Sequence, residues 1–147
     1  MKFDFMIDEK RRLEVKTTTG SVREHPFAHE QVHSELYKIL VSSVMLRKDV
    51  NGISIKDIVD YGRKIFAGDY ERLLVIEETI GGWDTEQLDN YCYDKLFLQN
   101  NIRFFDASQI PQFNESTPNF VSNANYSVNL ESVNPMTQSE ICEFFKT

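Results

Sequence analysis

The chain has 147 residues, 27% charged and 41% hydrophobic, with 11 Phe against one Trp, a length that suits a single domain over 1–147 with one buried core. Sixteen Lys and Arg against 23 Asp and Glu leave a formal net charge of −7, which excludes a general nucleic-acid coat or a surface held to membrane phosphates, so any contact with DNA must be local. No run approaches the roughly 18 apolar residues of a membrane span, and Met1-Lys2-Phe3-Asp4 lacks the apolar core of a signal peptide. The expectation is a cytoplasmic protein with no membrane partner. Cys92 and Cys142 lack the paired spacing of a disulfide framework or a zinc site and read as reduced thiols.

Lys2 to Ile7 alternates, with Phe3, Phe5 and Ile7 on one face and Asp4 and Met6 on the other, which predicts a half-buried strand at the very start of the chain. Asp8-Glu9-Lys10-Arg11 makes a turn, and Leu13 and Val15 alternate with Arg12, Glu14 and Lys16 in a second strand ending at Thr17-Thr18-Thr19-Gly20. Pairing the apolar faces of this hairpin sets Phe5 opposite Leu13, Phe3 opposite Val15 and Asp4 opposite Glu14, the carboxylates on the outer face. Pro26 suits a first helical turn, so Phe27 to Ser34 reads as a short helix. Tyr37 to Arg47 is apolar and β-branched enough for a strand buried on both faces. After a turn at Asn51-Gly52, Ser54 caps a helix, Gly68-Asp69 closes it and caps the next, and Gly81-Gly82 ends that one. Tyr91 to Leu98 and Ile102 to Phe105 read as an antiparallel pair, Ile110 to Asn123 as a loop, Tyr126 to Leu130 as a last strand and Thr137 to Phe145 as a terminal helix.

Asp4, Glu14 and Lys16 carry the chemistry in this pattern. Carboxylates directly across a strand pair stand about 5 Å apart at Cβ and repel. A divalent cation between them removes that repulsion, and an oxygen-rich site of Asp4, Glu14 and the Val15 carbonyl suits Mg²⁺, with Mn²⁺ as a substitute, because such a site leaves waters on the ion. Lys16 on the same face would help position a hydroxide and stabilise charge on a pentavalent phosphate, so the arrangement fits phosphodiester hydrolysis. An Asp and a Glu-x-Lys on an exposed hairpin face are equally compatible with solvated residues, Lys16 simply pairing with Glu14.

Phe3-Asp4-Phe5-Met6-Ile7 followed by Arg12-Leu13-Glu14-Val15-Lys16-Thr17-Thr18 resembles the core motif of PD-(D/E)XK nucleases. More narrowly it is similar to a bacterial branch of PD-(D/E)XK motif proteins found among restriction and phage-defence genes. Arg23, His25, Glu30 and Gln31 stand at matching places, as do Ser42-Ser43-Val44, Ile53 to Val59 and Tyr126 to Leu130, so the resemblance runs along nearly the whole chain, with only the Asp and Glu-x-Lys portion specific. It implies an α/β fold: a mixed β-sheet flanked by helices, a restriction-endonuclease-like core shortened at its N-terminus, with antiparallel C-terminal strands. It also implies that Asp4 and Glu14 bind the metal, that Lys16 assists the attacking water, and that Gln31 orients Lys16 or a phosphate, an ordinary helix-surface glutamine being the alternative for Gln31. Members of that branch are usually about twice as long, with a helix and an edge strand ahead of the Asp-bearing strand.

The functional expectation is a Mg²⁺-dependent DNA endonuclease, or the catalytic part of one, acting in restriction or phage defence, with a homodimer or a partner chain completing the sheet. The alternative is a non-catalytic acidic binding module or inhibitor, phage-encoded or regulatory, that keeps the fold; the −7 charge supports it. His25, His29 and His33 recur every four residues, and on a continuous helix His29 and His33 could share a transition metal, although no third ligand is evident. Arg47, Lys48, Arg63 and Lys64 form no basic stripe, and the aromatic series Tyr91, Tyr93, Phe97, Phe104 and Phe105 reads as core.

Overall fold

The computed structural model describes residues 3–112 and 124–146, so most of the loop expected at Ile110 to Asn123 lies outside the described residues. The chain forms two compact units, Met1–Met45 with Asn101–Thr147, and Leu46–Asn100, and each is described by itself. Mixed α/β structure with a mixed sheet is what the sequence led us to expect.

The first unit is built on a four-stranded sheet. Strands β1 (Phe5–Met6), β2 (Arg11–Thr18), β4 (Lys38–Met45) and β7 (Ile102–Asp106) lie in the order β1-β2-β4-β7. The hairpin β1–β2 is antiparallel with Phe5 opposite Leu13, the register that apolar pairing predicted. Strand β4 runs parallel to β2, with Glu14 beside Val41 and Lys16 beside Ser43, and β7 closes the far edge antiparallel to β4. A second layer consists of β3 (Glu24–Ala28) paired antiparallel with β8 (Asn125–Asn129), His25 lying opposite Val128. The core between the layers holds Phe27, Ile39, Val41, Phe105, Val128 and Leu130.

That core sits on the side of β2 opposite to the one expected. In a parallel pair, registered residues share a face, so Arg12, Glu14 and Lys16 lie on the face of Ile39, Val41 and Ser43 that the second layer covers. Glu14 is only 3% exposed, whereas Phe5 is 50% and Met6 73% exposed. The second layer, invisible to the alternation of the hairpin alone, decides which face is inside. Arg12 tolerates this burial because its guanidinium donates to the Asp8, Glu9 and Arg11 carbonyls of the hairpin turn and stacks 4.0 Å from the Tyr37 ring.

The segment expected as a helix from Phe27 to Ser34 is instead the end of β3 followed by a 3₁₀ turn, His29–Gln31. Pro26 is at home there because a two-stranded sheet has only edges, where a missing N–H is harmless. His25 and Phe27 alternate inward between the exposed Glu24 and Pro26. The expected terminal helix forms as α5 (Gln138–Phe145), capped by Thr137 and clasped at its end by Arg11, which donates to the Phe144 and Lys146 carbonyls.

The second unit holds β5 (Lys48–Ser54), α1 (Ile55–Ile65), α2 (Tyr70–Ile80), α3 (Thr85–Asn90), β6 (Cys92–Tyr93) and α4 (Lys95–Asn100). The caps read from sequence hold: Ser54 Oγ accepts from the Asp57 N–H at 3.0 Å, and Asp69 accepts from the Arg72 N–H. The antiparallel pair expected from Tyr91 to Phe105 does not form. Asp94 accepts from the Phe97 N–H at 2.8 Å and starts α4, while β6 pairs with β5 and β7 joins the sheet of the first unit. Gly52 lies inside β5 and not in a free turn, and its lack of a side chain is required because a Cβ would stand 2.1 Å from the Tyr93 carbonyl oxygen. No helix among the described residues is long and apolar enough to cross a membrane.

Phe105, fully buried in the first unit, is expected to be costly to truncate: Phe105→Ala should lower stability by about 3–5 kcal/mol in urea unfolding. Met6→Ala on the exposed edge should change it by less than about 0.5 kcal/mol.

Candidate active site

Glu14 and Lys16 are two residues apart on β2, so their side chains leave the strand on the same face and meet across one pleat. Lys16 Nζ lies 3.0 Å from Glu14 Oε1, the pair being almost fully enclosed. Gln31, at the end of the 3₁₀ turn, joins them. Its Oε1 accepts from Lys16 Nζ at 3.0 Å and from the Ala28 N–H at 3.0 Å, while its Nε2 donates to Glu14 Oε1. The Phe27 ring lies 5.3 Å from Lys16 Nζ. Lys16 is therefore held by a carboxylate, an amide oxygen and an aromatic face, each from a different point in the chain.

Asp4 lies across the hairpin from this group, just before β1. Its Oδ2 accepts from the Val15 N–H at 2.7 Å. Because the N–H and C=O of a strand residue point to the same edge, the Val15 carbonyl faces the β1 side as well. Burial pushes the Glu14 carboxyl above its ordinary value; the hydrogen bond and charge of Lys16 and the nearby Asp4 main-chain N–H oppose the rise, and the Asp4 charge adds to it.

Whether these residues suit a cation turns on Glu14 Oε2. This oxygen is buried and has no hydrogen-bond partner among the described residues, while its twin Oε1 takes both Lys16 and Gln31. An anionic oxygen left in that state beside a second carboxylate is the acceptor that a hard cation would satisfy. Among the described residues no three His, Cys, Asp or Glu converge. Two carboxylates, a main-chain oxygen and waters suit Mg²⁺ better than an all-protein cage does.

The three histidines do not line one helix face. The rings of His29 and His33 stack at 4.8 Å, 18° from parallel, a geometry in which their lone pairs run side by side without converging on one ion. His25 points into the core, where its Nε2 lies 2.6 Å from Ser43 Oγ. Arg23, also buried, donates Nη1 to both Ser43 Oγ and Ser43 O at 2.8 Å. The sequence reading missed this group because Pro26 was assigned to a helix. The alternation Glu24, His25, Pro26, Phe27 was the signal that would have found it.

A scan against protein-family models finds no match, and searches of curated proteins and of solved structures find none either.

Burial, with the Arg23 and Lys16 charges nearby, holds His25 down at about 4 against an ordinary 6.5. A histidine that stays neutral in the folded state stabilises fully above its unfolded value and loses that contribution as pH falls from 6.5 towards 4. The unfolding free energy from denaturant titrations should therefore drop over that window by up to about 3 kcal/mol, and His25→Gln should flatten this part of the profile.

Proposed function

We propose that this protein is a Mg²⁺-dependent DNA endonuclease, or the catalytic part of one, of the PD-(D/E)XK kind, acting in restriction or phage defence. The observation that carries the reading is the enclosed Glu14–Lys16–Gln31 group with one Glu14 oxygen buried and unpaired beside Asp4. A buried carboxylate oxygen without a full hydrogen bond costs free energy that a bound cation would remove. The hairpin bearing Asp4 and Glu14 and the parallel strand beside it also support the resemblance seen in the sequence.

Asp4, Glu14 and the Val15 carbonyl would hold the cation, which supplies charge neutralisation on the phosphate and a more acidic water. The chain's own residues do the rest. Gln31 fixes Lys16 by accepting one of its three ammonium protons and fixes Glu14 by donating to it. With a second proton engaged by Glu14, Lys16 presents its third to a water oxygen or a phosphoryl oxygen from a fixed point, which is preorganised electrostatic stabilisation. Water oxygen bonds to phosphorus and gives up a proton to solvent, the bond from phosphorus to the leaving sugar oxygen breaks, and that oxygen takes up a proton from solvent.

A second reading, a non-catalytic acidic binding module that keeps the same sheet, is favoured by the −7 charge and by the exposed Phe5 and Met6 on the edge strand, where a homodimer or a partner chain would complete the sheet.

Supercoiled plasmid incubated with the purified protein and Mg²⁺ or Mn²⁺ should be nicked. Glu14→Gln should abolish nicking while the circular dichroism spectrum is unchanged, and Lys16→Met should slow it by about 10²-fold. Intact plasmid under both metals, together with a stable protein complex in pull-down, would transfer the case to the binding module.

A further inference from the structure

We infer that His25 is a positioning residue for Lys16, itself held in place by Arg23 through Ser43. Its role in hydrolysis rests on the nuclease reading above, whereas its effect on the geometry of Lys16 does not.

Arg23 and Ser43 are fully buried and His25 is 1% exposed, although the surrounding core is apolar. Such a group persists only when its hydrogen bonds are specifically arranged. A guanidinium has donors alone, so Ser43 Oγ accepts from Arg23 Nη1. The arrangement that also uses the Ser43 hydroxyl proton sends it to His25 Nε2, 2.6 Å away. The imidazole is neutral and carries its own proton on Nδ1. The ring lies beside the backbone of Thr17, the residue after Lys16, and Nδ1 has no hydrogen bond of full geometry among the described residues.

Lys16 and Ser43 are partners in the β2–β4 register, so His25 reaches from β4 to β2 at the level of Lys16. The imidazole also stands edge-on to the Phe27 ring, at 6.4 Å and 81°, and the Phe27 ring lies 5.3 Å from Lys16 Nζ. Arg23, through Ser43, holds His25, and His25 stands against the Phe27 ring that lies beside the Lys16 ammonium and near the backbone that follows Lys16. Only a neutral ring suits that place, since a cation there would push the ammonium out of its pairing with Glu14. An apolar side chain would fill the space and lose the tie to Ser43.

The test uses the full chain labelled with ¹⁵N-lysine. A lysine ammonium gives a visible proton–nitrogen signal in cold, mildly acidic solution only when it is held and shielded from exchange, and the Lys16 signal is identified by its loss in Lys16→Met. The wild-type protein should show it. Ser43→Ala and His25→Ala, folded by circular dichroism, should lose it, and His25→Gln, whose amide oxygen can still take the Ser43 proton, should keep it. In plasmid nicking, Ser43→Ala should lower kcat by about tenfold with KM unchanged. If the wild type gives no protected signal, or if the signal survives in folded Ser43→Ala and His25→Ala, the positioning role is overturned. If both variants lose the fold, the network serves stability alone and the role is overturned as well. A signal that behaves as expected in a protein that nicks no DNA leaves the positioning intact and removes the nuclease reading. Nicking by a protein whose signal ignores His25 does the reverse.

Discussion

Glu14 is a carboxylate taken out of water, and the several kcal/mol that such burial costs must be offset by what surrounds it. Lys16 supplies the counter-charge, Gln31 a hydrogen bond, and the hairpin brings Asp4 within electrostatic reach. Each comes from a different stretch of chain, so the 3₁₀ turn, the β3 layer and the hairpin must all be in register before Glu14 can be buried. The parallel pairing of β2 with β4 makes this possible, because it places Glu14 and Lys16 beside Val41 and Ser43 on the covered side of the sheet.

This inverts the usual relation between a strand pair and its core. In an isolated hairpin the phenylalanines would be inside and the charges outside. Here the charged face is inside, and most of its polar atoms are matched: Arg12 to carbonyls, Lys16 to Glu14 and Gln31, His25 to Ser43, and Ser43 to Arg23. Glu14 Oε2, Arg23 Nε and His25 Nδ1 are left over, and Glu14 Oε2 is the one carboxylate oxygen among these three.

Local signals in the sequence were reliable where local physics decides the outcome. The Phe5–Leu13 register, the caps at Ser54 and Asp69, the terminal helix, the buried strand at Lys38–Met45 and the last strand Asn125–Asn129 follow from alternation and capping chemistry. What was not legible depends on tertiary partners. The face of the hairpin that is buried is set by a β3–β8 layer whose strands lie a hundred residues apart in sequence, on the order allowed by long-range sheet pairing. The strand at Pro26 was hidden because proline is a helix-start signal unless the strand is an edge. Asp94 was placed inside the strand expected from Tyr91 to Leu98, when its side chain caps a helix. Asp4, Glu14, Lys16 and Gln31 were legible as a set, but their enclosure was not, nor was the Arg23–Ser43–His25 group behind them.

The hydrogen bond from the Met45 N–H to the Asn101 carbonyl, at 3.2 Å, joins the residue that ends β4 to the one that precedes β7. Because those strands are antiparallel neighbours, a tight turn would be enough to connect them. The whole of Leu46–Asn100 therefore enters and leaves through the gap of a single hairpin, in the manner of an oversized loop. Closing a long loop adds entropy cost only logarithmically with its length. Evolution could thus enlarge, exchange or discard that insert with little disturbance to the sheet that carries Glu14, which leaves the two halves of the protein free to change at different rates.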